Sequence, residues 1–367
     1  MTPSERFRTP LRAGCFGLIA ALAMTAAISS KGSPAHSNPR FPNRGPSHVE
    51  AATQATSERV PVAMPTSRPG LIVTGMNTDT PDPFILRARS GYYLYSGEAY
   101  WSGGFYPVMV AFSLDPRHFP PPAPAMLTAP RWTADALTWS PDVVRIGPIY
   151  RMYYASMSTP AFGGEDCIGT ASAAKPAGPF VPEPKPLRCD ADHFGAIDPR
   201  VFTGAHGARW LLWKSNDNAN PSSHRSPTTI VSERLSHDGK ALTGNPHFLL
   251  RADQSWQQGI VEAPELVNAG GHDWLFYSGG LYTSAGYGVG IASCQGPSGP
   301  CTDLSVQPWL SSNAQGQGPG EASLLADTGG RWWLVYDIND GEQRHGDTRP
   351  AAIAPISFAG DSPTLTS

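Results

Sequence analysis

The sequence predicts an all-β fold, a five-bladed β-propeller. Two observations carry this. One short pattern occurs five times along the 367-residue chain at a period of roughly 60 residues, a length that fits one blade of about four strands. Each copy runs into a segment rich in aromatic residues, and no stretch sustains helical periodicity. The first copy is Pro81-Asp82-Pro83-Phe84-Ile85-Leu86, leading to Tyr92–Ser96, and the second is Trp139-Ser140-Pro141-Asp142-Val143-Val144, leading to Tyr150–Tyr154. The third, Ile197-Asp198-Pro199-Arg200-Val201-Phe202, leads to Trp210–Lys214. The fourth, Glu262-Ala263-Pro264-Glu265-Leu266-Val267, leads to Trp274–Ser278, and the fifth, Gly320-Glu321-Ala322-Ser323-Leu324-Leu325, to Trp332–Tyr336.

Taken in order, the chain opens with a basic segment (Arg6, Arg8, Arg12) and an apolar, Ala-rich run from Gly14 to Ile28, followed by Ser29 and Ser30. About 15 apolar residues are few for a membrane span, so residues 1–30 read as a signal peptide, with an uncleaved anchor as the rival. Cys15 precedes the run instead of ending it, which argues against a lipoprotein. Residues 31–70 are rich in Pro, Ser, Ala and Thr and read as a flexible spacer. The propeller is expected over 71–367. Blade one continues through an aromatic, Gly-rich loop (Gly97 to Tyr106) to a strand at Val108–Ser113. Blades two to four have later strands at Ile168–Ser172, Thr229–Arg234 and Gly288–Ala292, and blade five ends with Ala351–Ile356. Asp238-Gly239 marks a tight turn, because this pair readily takes positive φ.

Lys and Arg number 27 against 30 Asp and Glu, and no basic run occurs, which speaks against a nucleic-acid partner. Once the leader is removed no membrane segment is expected, and the protein is expected to be secreted and monomeric. Four cysteines remain after the leader. An exported chain favours disulfides, and Cys294–Cys301 and Cys167–Cys189 are the expected pairs.

The inner strands of a propeller line its central channel. Acidic residues at equivalent places in the repeats (Asp82, Asp198 and Glu262) are therefore brought to one funnel. Converging carboxylates suit glycoside hydrolysis, where one group protonates the leaving oxygen and another activates water or attacks the sugar. Loop aromatics such as Trp101, Phe105, Tyr106, Trp139, Trp256 and Tyr282 could stack on sugar faces.

These motifs, in this order, resemble those of glycoside hydrolase family 43 over residues 71 to the C-terminus. The resemblance implies a five-bladed propeller that hydrolyses carbohydrate with inversion, acting mainly on arabinan, arabinoxylan, xylo-oligosaccharides and some galactans. Carried over motif by motif, it implies Asp82 as general base, Glu262 as general acid and Asp198 as the residue that orients the acid and tunes its pKa. Inversion would set the Asp82 and Glu262 carboxyls roughly 6.5–9.5 Å apart. There is one departure. Many members carry a histidine near a central cation where this chain has Gly318-Pro319-Gly320-Glu321. No cofactor is required by the reaction, but Glu321 could ligate a cation such as Ca²⁺, mark a centre without metal, or pair with a channel arginine.

Each residue also has a plainer reading. Asp82 and Asp198 could cap turns, since Asp-Pro is common there. Glu262 competes with Glu265, and strand alternation does not choose between them; the motif favours Glu262. Asp142 is as well explained by a contact between blades as by the site. Trp139, Trp101, Phe105 and Arg349 are candidate substrate contacts, while Tyr93, Tyr95, Trp210, Trp213 and Trp332 read as core. The favoured reading is an α-L-arabinofuranosidase or arabinanase. A β-xylosidase, a galactan-active relative and a non-catalytic sugar-binding propeller are the alternatives.

Overall fold

Five antiparallel sheets follow one another along the chain. The computed structural model describes residues 72–73, 79–219, 227–313, 316–339, 349–360 and 362–366. The expected signal peptide and spacer lie outside these residues. Blade I comprises Phe84–Ala88, Gly91–Ser96, Val108–Ser113 and Ala123–Met126. Blade II comprises Trp139–Ile146, Ile149–Met157 and Asp166–Ala173, with Val181–Pro182 and Arg188–Cys189 on its outer edge. Blade III is Ala196–Thr203, Arg209–Ser215, Thr229–Arg234 and His247–Arg251. Blade IV is Val261–Ala269, His272–Gly279, Gly288–Cys294 and Cys301–Asp303.

Blade V takes strands from both ends of the domain. Gln317–Ala326, Trp332–Asn339 and Ala351–Ser357 are extended by Ile72–Val73 from before blade I and by Thr364–Leu365 from the C-terminal side. Ile72 pairs with Ile353 and Val73 with Ala352, so strand pairing between the segment before blade I and the last blade closes the ring. Among the described residues there is no α-helix, only short 3-10 turns, and no helix long and apolar enough to cross a membrane.

The aromatic strands explain why the blades stay together. Buried side chains form five clusters, each containing residues of adjoining blades. Tyr95 and Val110 meet Val143 and Met152, Tyr153 and Ile168 meet Leu211 and Trp213, and Leu212 and Ile230 meet Leu275 and Tyr277. Phe276 and Ile291 meet Leu334 and Tyr336, and Val335 and Ile353 return to Ile85 and Leu94. The starts of the inner strands are left to line a central cavity. Both expected disulfides are formed, Cys167–Cys189 within blade II and Cys294–Cys301 within blade IV.

Candidate active site

The five inner strands share a local distortion. Asp82, Ser140, Asp198, Ala263 and Glu321 all have positive φ, between 48° and 53°. A non-glycine residue held there costs on the order of 1–3 kcal/mol, so the surroundings must hold it. In blades II to V the ladder slips at the same point: between Trp139 and Asp142, Ile197 and Arg200, Glu262 and Glu265, and around Gly320. The bulge turns the backbone N–H toward an adjacent blade. The Ser140 amide donates to Asp82 Oδ2 (3.0 Å), that of Ala263 to Asp198 Oδ2 (3.1 Å), that of Asp82 to Asp337 Oδ2 (3.2 Å) and that of Glu321 to Ser278 Oγ (2.9 Å). The site's carboxylates therefore also stitch the ring.

Asp82, Asp198, Glu262 and Glu321 line one cavity of about 530 Å³ with Trp139, Lys214, Tyr282 and Arg349. Its floor comes from the starts of the inner strands. Its walls come from loops that follow the second strands: Glu98 in blade I, Asn218 in blade III, and Gly280 to Tyr282 in blade IV. Glu265, the rival to Glu262, does not line it. Its carboxylate lies 3.5 Å from the Arg200 guanidinium, behind the bulges. Arg200 also donates to the carbonyls of Pro141 and Pro83, tying three blades together. Asp142 is buried away from the cavity and accepts from the Val201 amide, a contact between blades II and III.

One expectation needs correcting. The repeat pattern set Asp82, Asp198 and Glu262 at equivalent positions, but the residue equivalent to Asp82 and Asp198 in blade IV is Ala263. Glu262 comes one residue earlier, opposite Ser278. A second correction concerns Phe105. It sits on the hairpin of Ala99–Trp101 and Gly104–Tyr106 and lines a separate hollow with Pro107, Leu127 and Arg131, not the central cavity. Trp101 is at the end of the first strand of that hairpin, and its side chain lies outside the described part of the structure. Trp256 packs on Tyr277 and donates to the Ser305 carbonyl, whereas Tyr282 is exposed at the cavity.

Electrostatics separate the carboxylates. Burial, then the charges of Asp337 and Asp198, push Asp82 up to about 7, against the Ser140 hydroxyl and Arg349. Burial also raises Asp198, opposed by Lys214 and reinforced by Glu262. The Ser140 hydroxyl sits 2.9 Å from Asp82 Oδ2 and 3.0 Å from Asp198 Oδ1, and its single proton serves one of them at a time. Glu262 is held at both oxygens: Lys214 Nζ donates to Oε2 at 2.8 Å and the Tyr287 hydroxyl to Oε1 at 2.7 Å. Burial, followed by Asp82, Asp198, Glu262 and Asp337, drives Glu321 well above the usual carboxylate range.

Arg349 lines the cavity, but its hydrogen bonds are largely spent within the protein. Nε and Nη2 grip Asp337, Nη1 donates to the Tyr282 carbonyl and Nη2 to that of Gly318. The channel arginine thus pairs with Asp337 and not with Glu321. Calcium is held by six to eight oxygens. The channel offers Glu321 Oε2, which is buried without a partner, while Asp82, Asp198, Asp337 and Glu262 already accept hydrogen bonds and Lys214 and Arg349 bring two positive charges. Among the described residues, the one trio of ligating side chains close enough to share an ion is Glu165, Cys167 and Cys189, whose sulfurs are bonded to each other. The channel residues do not fit a protein-built calcium cage.

Sequence reasoning passed over Lys214, Ser140, Tyr287 and Asp337. Lys214 was visible as a cation next to the end of the mostly apolar strand Arg209–Ser215, and Ser140 as a non-acidic member of the repeat. Tyr287 and Asp337 carried no signal, because only the closed ring brings them to the channel.

Residues 75–363 match the model of the family described as glycosyl hydrolases family 43. The Beta-D-galactofuranosidase xynD of Aspergillus niger is 23% identical over 58% of this chain, which spans 61% of that protein's length. The extracellular exo-alpha-(1->5)-L-arabinofuranosidase ArbA of Cellvibrio japonicus is 25% identical over 69% of this chain and 73% of its own. A thermostable family-43 glycoside hydrolase of known structure superposes with a TM-score of 0.70, at 23% identity, over 80% of this chain and 95% of that one.

Proposed function

The chain belongs to glycosyl hydrolases family 43 and is a glycoside hydrolase, and from that premise we propose that it is an exported furanosidase acting on α-L-arabinofuranosyl linkages with inversion. The observation that carries the reading is the convergence of Asp82, Asp198 and Glu262 on one cavity, with Glu262 gripped by Lys214. In this reading Asp82 is the general base. It takes a proton from a water, whose oxygen attacks the anomeric carbon from the face opposite the leaving group. Glu262 is the general acid and gives its proton to the leaving oxygen as the C–O bond breaks. Asp198, bonded to the Ala263 amide beside the acid, holds that segment in place. The product is the inverted anomer, and one proton has passed to Asp82 and one from Glu262.

The names of both curated relatives describe furanosidases, which favours a five-membered ring. α-L-Arabinofuranose and β-D-galactofuranose share their ring configuration and differ in the exocyclic arm, so β-D-galactofuranosides are the second reading. β-D-Xylosides remain the third. Export is supported by the leader-like N-terminus, by two disulfides and by the extracellular relative.

The test is hydrolysis of aryl α-L-arabinofuranoside, β-D-galactofuranoside and β-D-xyloside by the wild type and Asp82→Asn, with product anomers followed by NMR. Turnover of the arabinofuranoside with inversion, abolished by the substitution, is expected. Preference for either other sugar would overturn the substrate, and a retained anomer would overturn the mechanism.

A further inference from the structure

Tyr287 stands between two carboxyl groups. Its hydroxyl oxygen is 2.7 Å from Glu262 Oε1 and 3.0 Å from Glu321 Oε1. A phenol has one proton and donates one hydrogen bond. Two short contacts to carboxyl oxygens therefore need a second proton, which one of the two acids must carry. Glu262 has a cation on its other oxygen, Lys214 Nζ at 2.8 Å. Glu321 has no cation within hydrogen-bond reach among the described residues; its Oε2 is buried without a partner, and Asp82, Asp198, Glu262 and Asp337 all act on it with like charge. Glu262, as the general acid, presents its own proton to the leaving oxygen and not to Tyr287, so the proton shared with the Tyr287 oxygen is assigned to Glu321. The chain runs from the Glu321 carboxyl to the Tyr287 oxygen, and from the Tyr287 proton to Glu262.

The ring is built into place. Tyr287 is fully buried, and the Arg349 guanidinium lies 5.2 Å from its centroid. Gly320 passes so close beneath it that a Cβ there would stand 1.9 Å from the ring edge. Glu321, the next residue, thus meets the hydroxyl from a strand whose backbone already touches the ring.

We propose that Glu321 and Tyr287 are positioning residues for the general acid: protonated Glu321 orients the Tyr287 hydroxyl, and Tyr287 fixes Glu262 Oε1 while Lys214 fixes Oε2. This rests on the reading of Glu262 as the acid. It gives the buried glutamate of the fifth repeat a role within the proton-transfer machinery.

The experiment measures kcat and KM for Tyr287→Phe, Glu321→Gln, Glu321→Ala and the Tyr287→Phe/Glu321→Ala double variant. The substrates are a series of aryl furanosides whose leaving groups range from good to poor, with Glu262→Gln as the control. Tyr287→Phe is expected to lower kcat on the poorest leaving groups by about ten- to a hundredfold, the size of one hydrogen bond to a group that becomes charged as it gives up its proton, at nearly constant KM and with little loss on the best. Glu321→Ala should behave alike, and the double variant should be no worse than either single, because both act through one chain. Glu321→Gln should stay within about threefold of the wild type, since its amide donates to Tyr287 as a protonated carboxyl does. Thermal unfolding checks that each variant folds; Tyr287→Phe and Glu321→Gln preserve shape and decide the matter if Glu321→Ala does not fold. A Glu321→Gln loss that reaches that of Tyr287→Phe, or Tyr287→Phe with wild-type kcat on poor leaving groups, would overturn the proposal. If Glu262→Gln itself shows no dependence on leaving group, the assignment of the acid fails and the proposal with it.

Discussion

Lys214 is the side chain on which the acid most directly depends. It is buried, its ammonium donates to Glu262, and Glu262 and Asp198 together keep it charged against the cost of burial. Removing one member of a buried ion pair leaves the other charge uncompensated, at a cost of about 3–5 kcal/mol. Lys214→Met is therefore expected to lower both the unfolding midpoint and kcat, and paired thermal melts and kinetics would show it; unchanged stability would mean that water replaces the ammonium. Asp82 makes a second prediction. A base works only when ionised, and burial with two neighbouring carboxylates holds it near 7, so kcat/KM should rise with pH through about that value. The Ser140 hydroxyl lowers Asp82. Ser140→Ala should then move the acidic limb of the pH–rate profile upward and cost more at pH 6 than at pH 8. A limb that stays in place would remove Ser140 from the base's environment.

At the scale of the strand, the inner-strand bulge does what the repeat pattern announced, though not in the way the pattern implied. The five repeats and the aromatic strands were legible because blade packing needs them at every turn of the ring. The bulge was not legible: positive φ at Asp82, Ser140, Asp198, Ala263 and Glu321 is imposed by hydrogen bonds between blades, far apart in sequence. That is why the repeat aligned Glu262 with Asp82 when the equivalent residue is Ala263. Phe105 misled for a related reason: an aromatic on a loop has no period to say which way the hairpin leans. The fifth strand offers a test of how tightly these elements are fitted. Gly320→Ala would press a methyl into the Tyr287 ring, which Arg349 also covers. Over-packing of this kind costs about 1–3 kcal/mol. The variant is expected to lose activity on poor leaving groups along with stability, whereas Gly147→Ala, where a Cβ meets nothing within 4 Å but φ is +59°, is expected to cost stability alone and leave activity unchanged.

For the molecule as a whole, gathering carboxylates on one axis has a consequence for stability. Asp82 and Asp142 are pushed from 3.8 to about 7, and Glu265 from 4.5 to about 8, in each case chiefly by burial. Asp198 and Glu321 move in the same direction. Between about pH 4 and pH 8 the folded protein thus binds more protons than the unfolded chain. Stability falls with pH wherever that holds, because each group must ionise in a buried place to stay folded. The lowered groups Asp115, Asp238 and Asp327 act the opposite way, but below their ordinary 3.8, outside this window. The ring, closed by Ile72–Val73 against the last blade, should accordingly melt several degrees higher at pH 5 than at pH 8.5, given about 2–4 °C per kcal/mol for domains of 150–250 residues. Asp142→Asn separates this effect from catalysis, because Asp142 lies outside the cavity and an amide oxygen can still accept from Val201. The variant should lose part of the pH dependence and gain stability at pH 8.5. A wild-type midpoint that is flat or rises between pH 5 and 8.5 would mean that the buried carboxylates ionise at no cost to the fold, and that water or a cation reaches them along the axis.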